Sequence, residues 1–345
     1  MLPPEVLQQA EKELPNWHNK GISVSEISHR SKDFEALAKQ STQDLRDLLA
    51  IPENYHILFL QGGSRTQFSA VPMNLVDGYD SAAYVQTGYW GKAAATEAIR
   101  YTDVKIVADT DPVFNTIPDQ KKWKDFSNAA YLHYVDNETI HGVEFDFIPD
   151  SKNVALVCDM SSNILSRPFD VSQFGLIYAC AQKNISMAGI TVVIVRDDLL
   201  SRDTHDTLPS IMNYALQAQH NSMYNTPPTF AWYVAGLVFQ WLKNQGGIKA
   251  IAKKNAEKAA LLYRYLDSQD FYQNTVDPRY RSRMNVIFRC PKEEWDTEFW
   301  QMAAEQGMIG LKGHKVLGGL RASIYNAMPI EGVEKLIAFM KAFAK

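Results

Sequence analysis

Three short apolar runs stand close together near the middle of the chain, and they restrict the fold more than any other feature. They are 153–158 (NVALVC), 174–179 (FGLIYA) and 191–196 (TVVIVR). Each is bounded by turn residues and lacks alternating polar positions, the pattern of a strand covered on both faces. Further strands are predicted at 56–60, 80–86, 104–108 and 131–134, with helices at 3–14, 33–50, 67–75 and 92–99 between or before them. Such alternation predicts an α/β architecture, a sheet flanked by helices. Past the third run helices dominate, at 210–220, 229–243 and 248–267, the last following the Gly246-Gly247 break. The texture then changes to a strand at 284–289, a helix at 295–305, a strand at 321–325 and a closing helix at 330–343. A large domain to about residue 245 and a smaller α+β domain after it are expected.

Composition narrows the class. With 345 residues, 46% hydrophobic and 21% charged, the chain can bury a sizeable core and is not disordered. Its net charge of −4 and the lack of a basic stripe argue against nucleic acid as a partner. Cys158, Cys180 and Cys290 have no CxxC spacing, so neither a disulfide framework nor a metal cage is expected, and the cysteines suit a reducing compartment. The first twenty residues lack a signal-type apolar core. The longest apolar stretch, 230–239, is too short for the roughly 20 residues that cross a bilayer and reads as a buried helix. A cytoplasmic protein without a membrane partner is the expectation.

Ligands of open α/β sheets sit beyond the carboxyl ends of strands. At such ends stand Asp159, after NVALVC, and Lys183, just after FGLIYA. One reading is a structural ion pair. The other is a pyridoxal phosphate site, in which a desolvated lysine captures the aldehyde and a carboxylate holds the pyridine nitrogen protonated. After HILFL comes Gly62-Gly63-Ser64-Arg65, a glycine-opened helix start that is either a tight turn or an anion cradle. Trp90 reads as a core tryptophan or as an indole stacked on a flat ring. Thr139, alone, reads as an ordinary loop residue.

Five segments carry a resemblance across essentially the whole chain: SEISHRSKDF (25–34), FLQGGSRTQFSAVPMNL (59–75), DMSSNILSRPFDVSQFGLIYACAQKN (159–184), NSMYNTPPTFAWYVAGLVFQWLKNQGG (221–247) and LKGHKVLGGLRASIYNAMPIEGVEKL (311–336). In order, spacing and identity they resemble the phosphoserine aminotransferases. These are class V pyridoxal 5'-phosphate enzymes of the aspartate-aminotransferase fold type. That resemblance implies fold type I: a large cofactor-binding domain, 5–245, with a mixed, mostly parallel sheet, and a small α+β domain, 246–345 together with 1–4. It implies that Lys183 is the lysine joined to the cofactor, and that Asp159 partners the pyridine nitrogen. Trp90 would stack on the ring and Thr139 would touch its phenolic oxygen. Ser64, Arg65 and Gln182 would hold the phosphate, with Asn225 and Thr226 arriving from the second subunit of a homodimer. For the dianionic substrates, His29 and Arg30 across the dimer and His314 would form the distal cationic pole, and Arg321 would grip the α-carboxylate. The implied reaction is reversible, ping-pong amino transfer between L-glutamate and 3-phosphohydroxypyruvate, giving O-phospho-L-serine and 2-oxoglutarate. The phosphorylated hydroxythreonine of vitamin B6 synthesis is a further possible substrate.

Some positions depart from the family pattern. The family commonly opens with Asn-Phe-Ser-Ala-Gly-Pro-Ala before the Leu-Pro pair, whereas this sequence opens at Met1-Leu2-Pro3. Where the family has Asn-Ile-Gly-Pro-Ala-Gly after the lysine, this chain has Asn184-Ile185-Ser186-Met187-Ala188-Gly189, a change expected to alter the loop's flexibility. Lys315 stands where an arginine is common. The competing readings are another class V transaminase, such as a serine–glyoxylate aminotransferase, or a cofactor-binding homologue with impaired turnover. A cysteine desulfurase fits badly, because no cysteine falls on a mobile loop.

Overall fold

The computed structural model describes residues 1–76 and 78–344. In chain order its elements are α1 (Pro4–Glu13), α2 (Lys32–Leu49), β1 (Tyr55–Gly62), α3 (Ser64–Leu75), β2 (Ser81–Gln86), α4 (Tyr89–Ala98), β3 (Asp103–Asp109), β4 (Tyr131–Val135), β5 (Asn137–Glu138), β6 (Val143–Glu144), β7 (Ala155–Asp159), β8 (Leu176–Cys180) and β9 (Gly189–Arg196). There follow α5 (Asp197–Leu200), α6 (Tyr214–Gln219), α7 (Thr229–Asn244), α8 (Gly247–Asp267), β10 (Asn285–Phe288), α9 (Glu293–Glu305), β11 (Leu320–Ser323) and α10 (Ile330–Phe343). The three central runs are β7, β8 and β9, adjacent in a seven-stranded sheet of order β1-β9-β8-β7-β4-β2-β3. Neighbours from β8 through β7, β4 and β2 to β3 are parallel, and β9 is antiparallel to both β8 and β1. Six strands therefore run one way. The carboxyl ends of β1, β2, β4, β7 and β8 share one edge with the start of β9.

The sheet is buried on both faces, as the unbroken apolar runs require. On β1, Ile57 and Phe59 enter one core while Leu58 and Leu60 enter the other; on β9, Val192 and Ile194 alternate in the same way with Val193 and Val195. The first core is closed by α2 and α7. Trp232 of α7 stacks on Phe59 at 4.5 Å and donates its indole N–H to Ser41 of α2 at 2.8 Å. Gly236 lets the two helices approach, since a Cβ there would lie 3.3 Å from that of Ser41. The 230–239 run is thus a buried helix, as read. Truncating Trp232 would cost about 3–5 kcal/mol, the scale of a large core deletion. A third core joins α8, α9 and α10 to the two-stranded β10–β11 sheet, with Phe288, Phe299 and Phe339 fully or almost fully buried. Helix α8 contributes Ile251 to the first core and Leu262 to the third.

Local chemistry moved several boundaries. Helix α3 begins at Ser64 rather than Gln67. Gly62 takes φ +102°, and a Cβ there would meet the Thr66 hydroxyl at 2.4 Å, so the chain can turn straight from strand into helix only with glycine. Helix α4 begins at Tyr89, which puts Trp90 in its first turn rather than in a loop. The helix expected over 210–220 is split: 210–212 form a 3₁₀ turn, and Asn213 caps α6 by accepting from Leu216 N at 2.9 Å. The β5–β6 ribbon was not foreseen. It is pinned where Glu144 accepts from Arg283 and where Asn137 bonds Ser162 and Asn285 at 2.9 and 3.0 Å.

Candidate active site

Most of the sequence-derived candidates meet at the shared carboxyl edge. Asp159 ends β7 beside Val135 of β4 and Tyr178 of β8. It is 5% exposed, and its Oδ1 accepts from Ser161 N at 2.9 Å. Burial raises its carboxyl pKa, against the opposing pull of Lys183 and the Ser161 bonds. Lys183 lies three residues past β8. Burial acts to lower its ammonium pKa, but the acidic groups Tyr325, Cys180 and Asp159 outweigh burial and leave it raised. The next residue is fixed: Asn184 donates to Ser162 O and Ile164 O at 3.1 and 3.2 Å and accepts from Asn326 N at 3.1 Å. Gln182 is exposed. Ser186 is buried and donates to Ala231 O of α7 at 2.7 Å, so the altered loop is tied down rather than loosened there.

Trp90 closes one side. Its indole Nε1 donates to Thr139 Oγ1 at 3.1 Å, and the Arg65 guanidinium lies 5.7 Å from its ring centroid. Arg65 also reaches the Tyr89 hydroxyl at 3.3 Å. Ser64 Oγ lies 2.7 Å from Ser161 Oγ, at the start of α3. Arg321 of β11 crosses to the same place and donates from one terminal nitrogen to Thr139 O at 3.2 Å. Its buried Nε has no partner among the described residues. His314 faces the Tyr89 ring at 5.8 Å; burial, then Arg321 and Lys315, lower its pKa.

His29, Arg30, Asn225 and Thr226 do not join this group. Arg30 N donates to Ser28 Oγ in the turn before α2, and Thr226 O accepts from Gln61 Nε2 at 2.7 Å. Among the described residues no hydrogen bond links any of the four to Lys183, Asp159 or Trp90, and the buried Nε2 of His29 has no partner.

Three residues of the site escaped the sequence reading. Ser161 bonds Asp159 through its N–H, while its hydroxyl accepts from Cys180 N at 3.1 Å and pairs with Ser64. Glu138, fully buried, accepts from Trp90 N and Gly91 N at 2.9 and 2.7 Å; burial drives its pKa up to about 7. His141, near Tyr89, is pushed down to about 4, first by burial and then by His314. Only Glu138 had a readable signal, since it precedes Thr139 in the same polar loop.

This arrangement suits a flat, phosphorylated, electron-withdrawing ring. It offers an indole wall, a buried carboxylate, a half-buried lysine, a free helix start with hydroxyls and a cationic side chain, and a guanidinium N–H without a partner among the described residues.

Residues 1–336 match the Aminotransferase class-V family. A phosphoserine aminotransferase of Coxiella burnetii is 54% identical over 345 residues, covering 100% of this chain and 96% of that protein. The solved phosphoserine aminotransferase of Bacillus circulans subsp. alkalophilus superposes with TM-score 0.97 at 43% identity, covering 100% of this chain and 96% of that one. That of Trichomonas vaginalis, solved with PLP bound, gives TM-score 0.96 at 42% identity over 99% and 97%. The chain belongs to the class-V aminotransferases, within their phosphoserine aminotransferase branch.

Proposed function

We propose that this chain is a pyridoxal-phosphate-dependent phosphoserine aminotransferase. It moves the amino group of L-glutamate to 3-phosphohydroxypyruvate and yields O-phospho-L-serine and 2-oxoglutarate. The observation that carries the reading is the shared strand edge, where Lys183, Asp159, the Trp90–Thr139 pair and Arg321 converge.

The cofactor supplies an aldehyde that takes up the substrate amine and a ring that draws electrons from the α-carbon. Asp159, buried and held by Ser161, keeps a proton at the ring nitrogen. Trp90 forms the flat wall, with its indole fixed by Thr139, whose position next to the ring suits a contact to the phenolic oxygen. Ser64, Arg65 and Gln182 bind the phosphate at the start of α3. Lys183 Nζ would take the proton from the substrate α-carbon and deliver it to the cofactor carbon that carries the aldehyde, the shift that amino transfer requires. Arg321 receives the substrate α-carboxylate bidentately, which its partnerless Nε leaves room for. His314 orients the distal anion.

His29, Arg30, Asn225 and Thr226 act, in this reading, from the second subunit of a homodimer. The lack, among the described residues, of a hydrogen bond from any of them to Lys183, Asp159 or Trp90, and the unpartnered His29 Nε2, support that part. The proposal also divides the chain into 5–245, holding the cofactor, and 246–345 with 1–4; the separate third core supports it, as does the cavity that Met1 shares with Leu311 and Leu336. A cytoplasmic setting belongs to the proposal as well. No described helix is long and apolar enough to cross a membrane.

The test is the visible absorbance of the cofactor-loaded protein before and after O-phosphoserine. Conversion of the cofactor band to the amino form is expected. A band that O-phosphoserine leaves unchanged, while another amino acid converts it, overturns the substrate assignment.

A further inference from the structure

Helix α4 starts without a cap of its own. Its N-cap is Gly88, which has no side chain, so the first-turn N–H groups need an acceptor from elsewhere. Glu138 provides it, accepting from Trp90 N at 2.9 Å and Gly91 N at 2.7 Å. The following residue, Thr139, accepts the indole N–H of the same tryptophan at 3.1 Å. Two successive residues therefore hold Trp90 at both its main chain and its ring.

The steric fit is tight. A Cβ on Gly88 would sit 2.3 Å from Glu138 Cδ, and one on Gly91 would sit 2.8 Å from Val85 O. Both glycines let the helix start settle onto the carboxylate. As a device for stability alone the arrangement is costly. A serine or aspartate at position 88 would satisfy the same N–H groups locally. Instead a carboxylate is fully buried, and among the described residues no lysine or arginine forms an ion pair with it. What the local cap could not do is tie the helix start to the loop carrying Thr139.

We infer that Glu138 is a positioning residue for the reaction: by clamping the main chain of Trp90 to the Thr139 loop it sets the angle of the indole against the cofactor ring. The inference rests on the reading above that Trp90 lies against that ring.

The experiment strips the full-length protein of cofactor and titrates it with pyridoxal phosphate, following affinity and the circular dichroism induced in the bound cofactor. The proteins are wild type, Glu138→Gln, Trp90→Phe and the double variant. Glu138→Gln should weaken cofactor binding about tenfold, the scale of a weakened hydrogen bond to a charged acceptor, and diminish the induced signal. The KM for O-phosphoserine should stay within about twofold while kcat falls, because Arg321 is untouched. In the Trp90→Phe background the same change should add nothing further. Gly88→Ala, which wedges a methyl group into the space of the carboxylate, should reproduce the Glu138→Gln phenotype and serves if that variant does not fold. Wild-type affinity and signal in Glu138→Gln, with Trp90→Phe impaired, overturns the clamp alone, as do fully additive losses in the double variant. Wild-type behaviour of Trp90→Phe overturns the placement of Trp90 and the clamp with it.

Discussion

Two groups of candidate residues are built differently. Asp159, Trp90, Thr139 and Ser64 stand at or beside strand ends and helix starts of one sheet edge, bonded to one another or to shared partners such as Ser161; Lys183 follows β8 at the same edge, and Arg321 reaches it from β11 through Thr139 O. His29, Arg30, Asn225 and Thr226 occupy loops; among the described residues none of them bonds to Lys183, Asp159 or Trp90, and Thr226 meets the edge only where its carbonyl accepts from Gln61 of β1. Most of the inner group is held by the seven-stranded sheet, so its geometry is fixed by registers such as Asp159 opposite Tyr178, and Arg321 is set by its own register opposite Ile287 on β10. Within the described residues the outer group is tied to the sheet only where Thr226 O accepts from Gln61 of β1. In the proposed reading, that difference is what a site needs when one chain supplies the chemical centre and a second copy completes its mouth.

The largest expected effect lies in the inner group. Lys183→Ala should lower turnover by roughly four orders of magnitude or more, as removing a group that moves the reacting proton does; steady-state rates check it. Arg30→Ala is the sharper probe of the comparison. It should raise the KM for O-phosphoserine by about tenfold to a hundredfold, the loss of one charge-assisted contact. Mixing Arg30→Ala with Lys183→Ala under subunit exchange should then restore activity, because a mixed dimer rebuilds one complete site from the lysine of one copy and the arginine of the other. If Arg30 served its own chain, no mixed dimer would contain a complete site and the mixture would stay as weak as its parts.

Much of the inner group could be read from sequence, for a physical reason. Buried parallel strands show as continuous apolar runs, and the polar residue ending each run falls on the ligand-bearing edge, which exposed Asp159 and Lys183. The identity of that edge as a cofactor site came from the family resemblance, since an acid and a lysine at strand ends also suit an ion pair. Ser161 and Glu138 stayed hidden because their partners lie far away in sequence: Glu138 accepts from Trp90 and Gly91, and Ser161 pairs with Ser64. The β5–β6 ribbon was invisible because two-residue strands have no periodicity to read. The 210–220 helix was overextended because its apolar spacing continues through Asn213, whose side chain ends the run by capping α6.

Burial of the inner group should also appear in the pH dependence of stability. Glu138 is raised to about 7 by desolvation, against about 4.3 for an unfolded glutamate. A raised carboxyl pKa favours folding below the unfolded value, and that contribution is lost as pH rises through the folded value. From about pH 5 to about pH 8 this group should therefore cost the wild type on the order of 2 kcal/mol of stability that Glu138→Gln does not lose. Unfolding of both cofactor-free proteins by urea at the two pH values measures it; parallel pH profiles would place the charge in a solvated setting and weaken the contrast between the two groups.

The smallest effect separates bonding within the inner group from mere proximity. Ser161→Ala removes one hydroxyl but leaves the main-chain N–H that holds Asp159 Oδ1. It deprives Cys180 N of its acceptor and Ser64 of its partner. The expected cost is about 1 kcal/mol, the net worth of such hydrogen bonds, seen as a fivefold to tenfold weaker grip (roughly) on pyridoxal phosphate. Because Ser64 is proposed to hold the phosphate and Asp159 the ring nitrogen, the loss should be smaller for pyridoxal, which lacks the phosphate. An equal loss for both would mean that Ser161 acts through Asp159. The bridge from α3 to β7 would then be incidental, and the phosphate cradle would stand on the helix start alone.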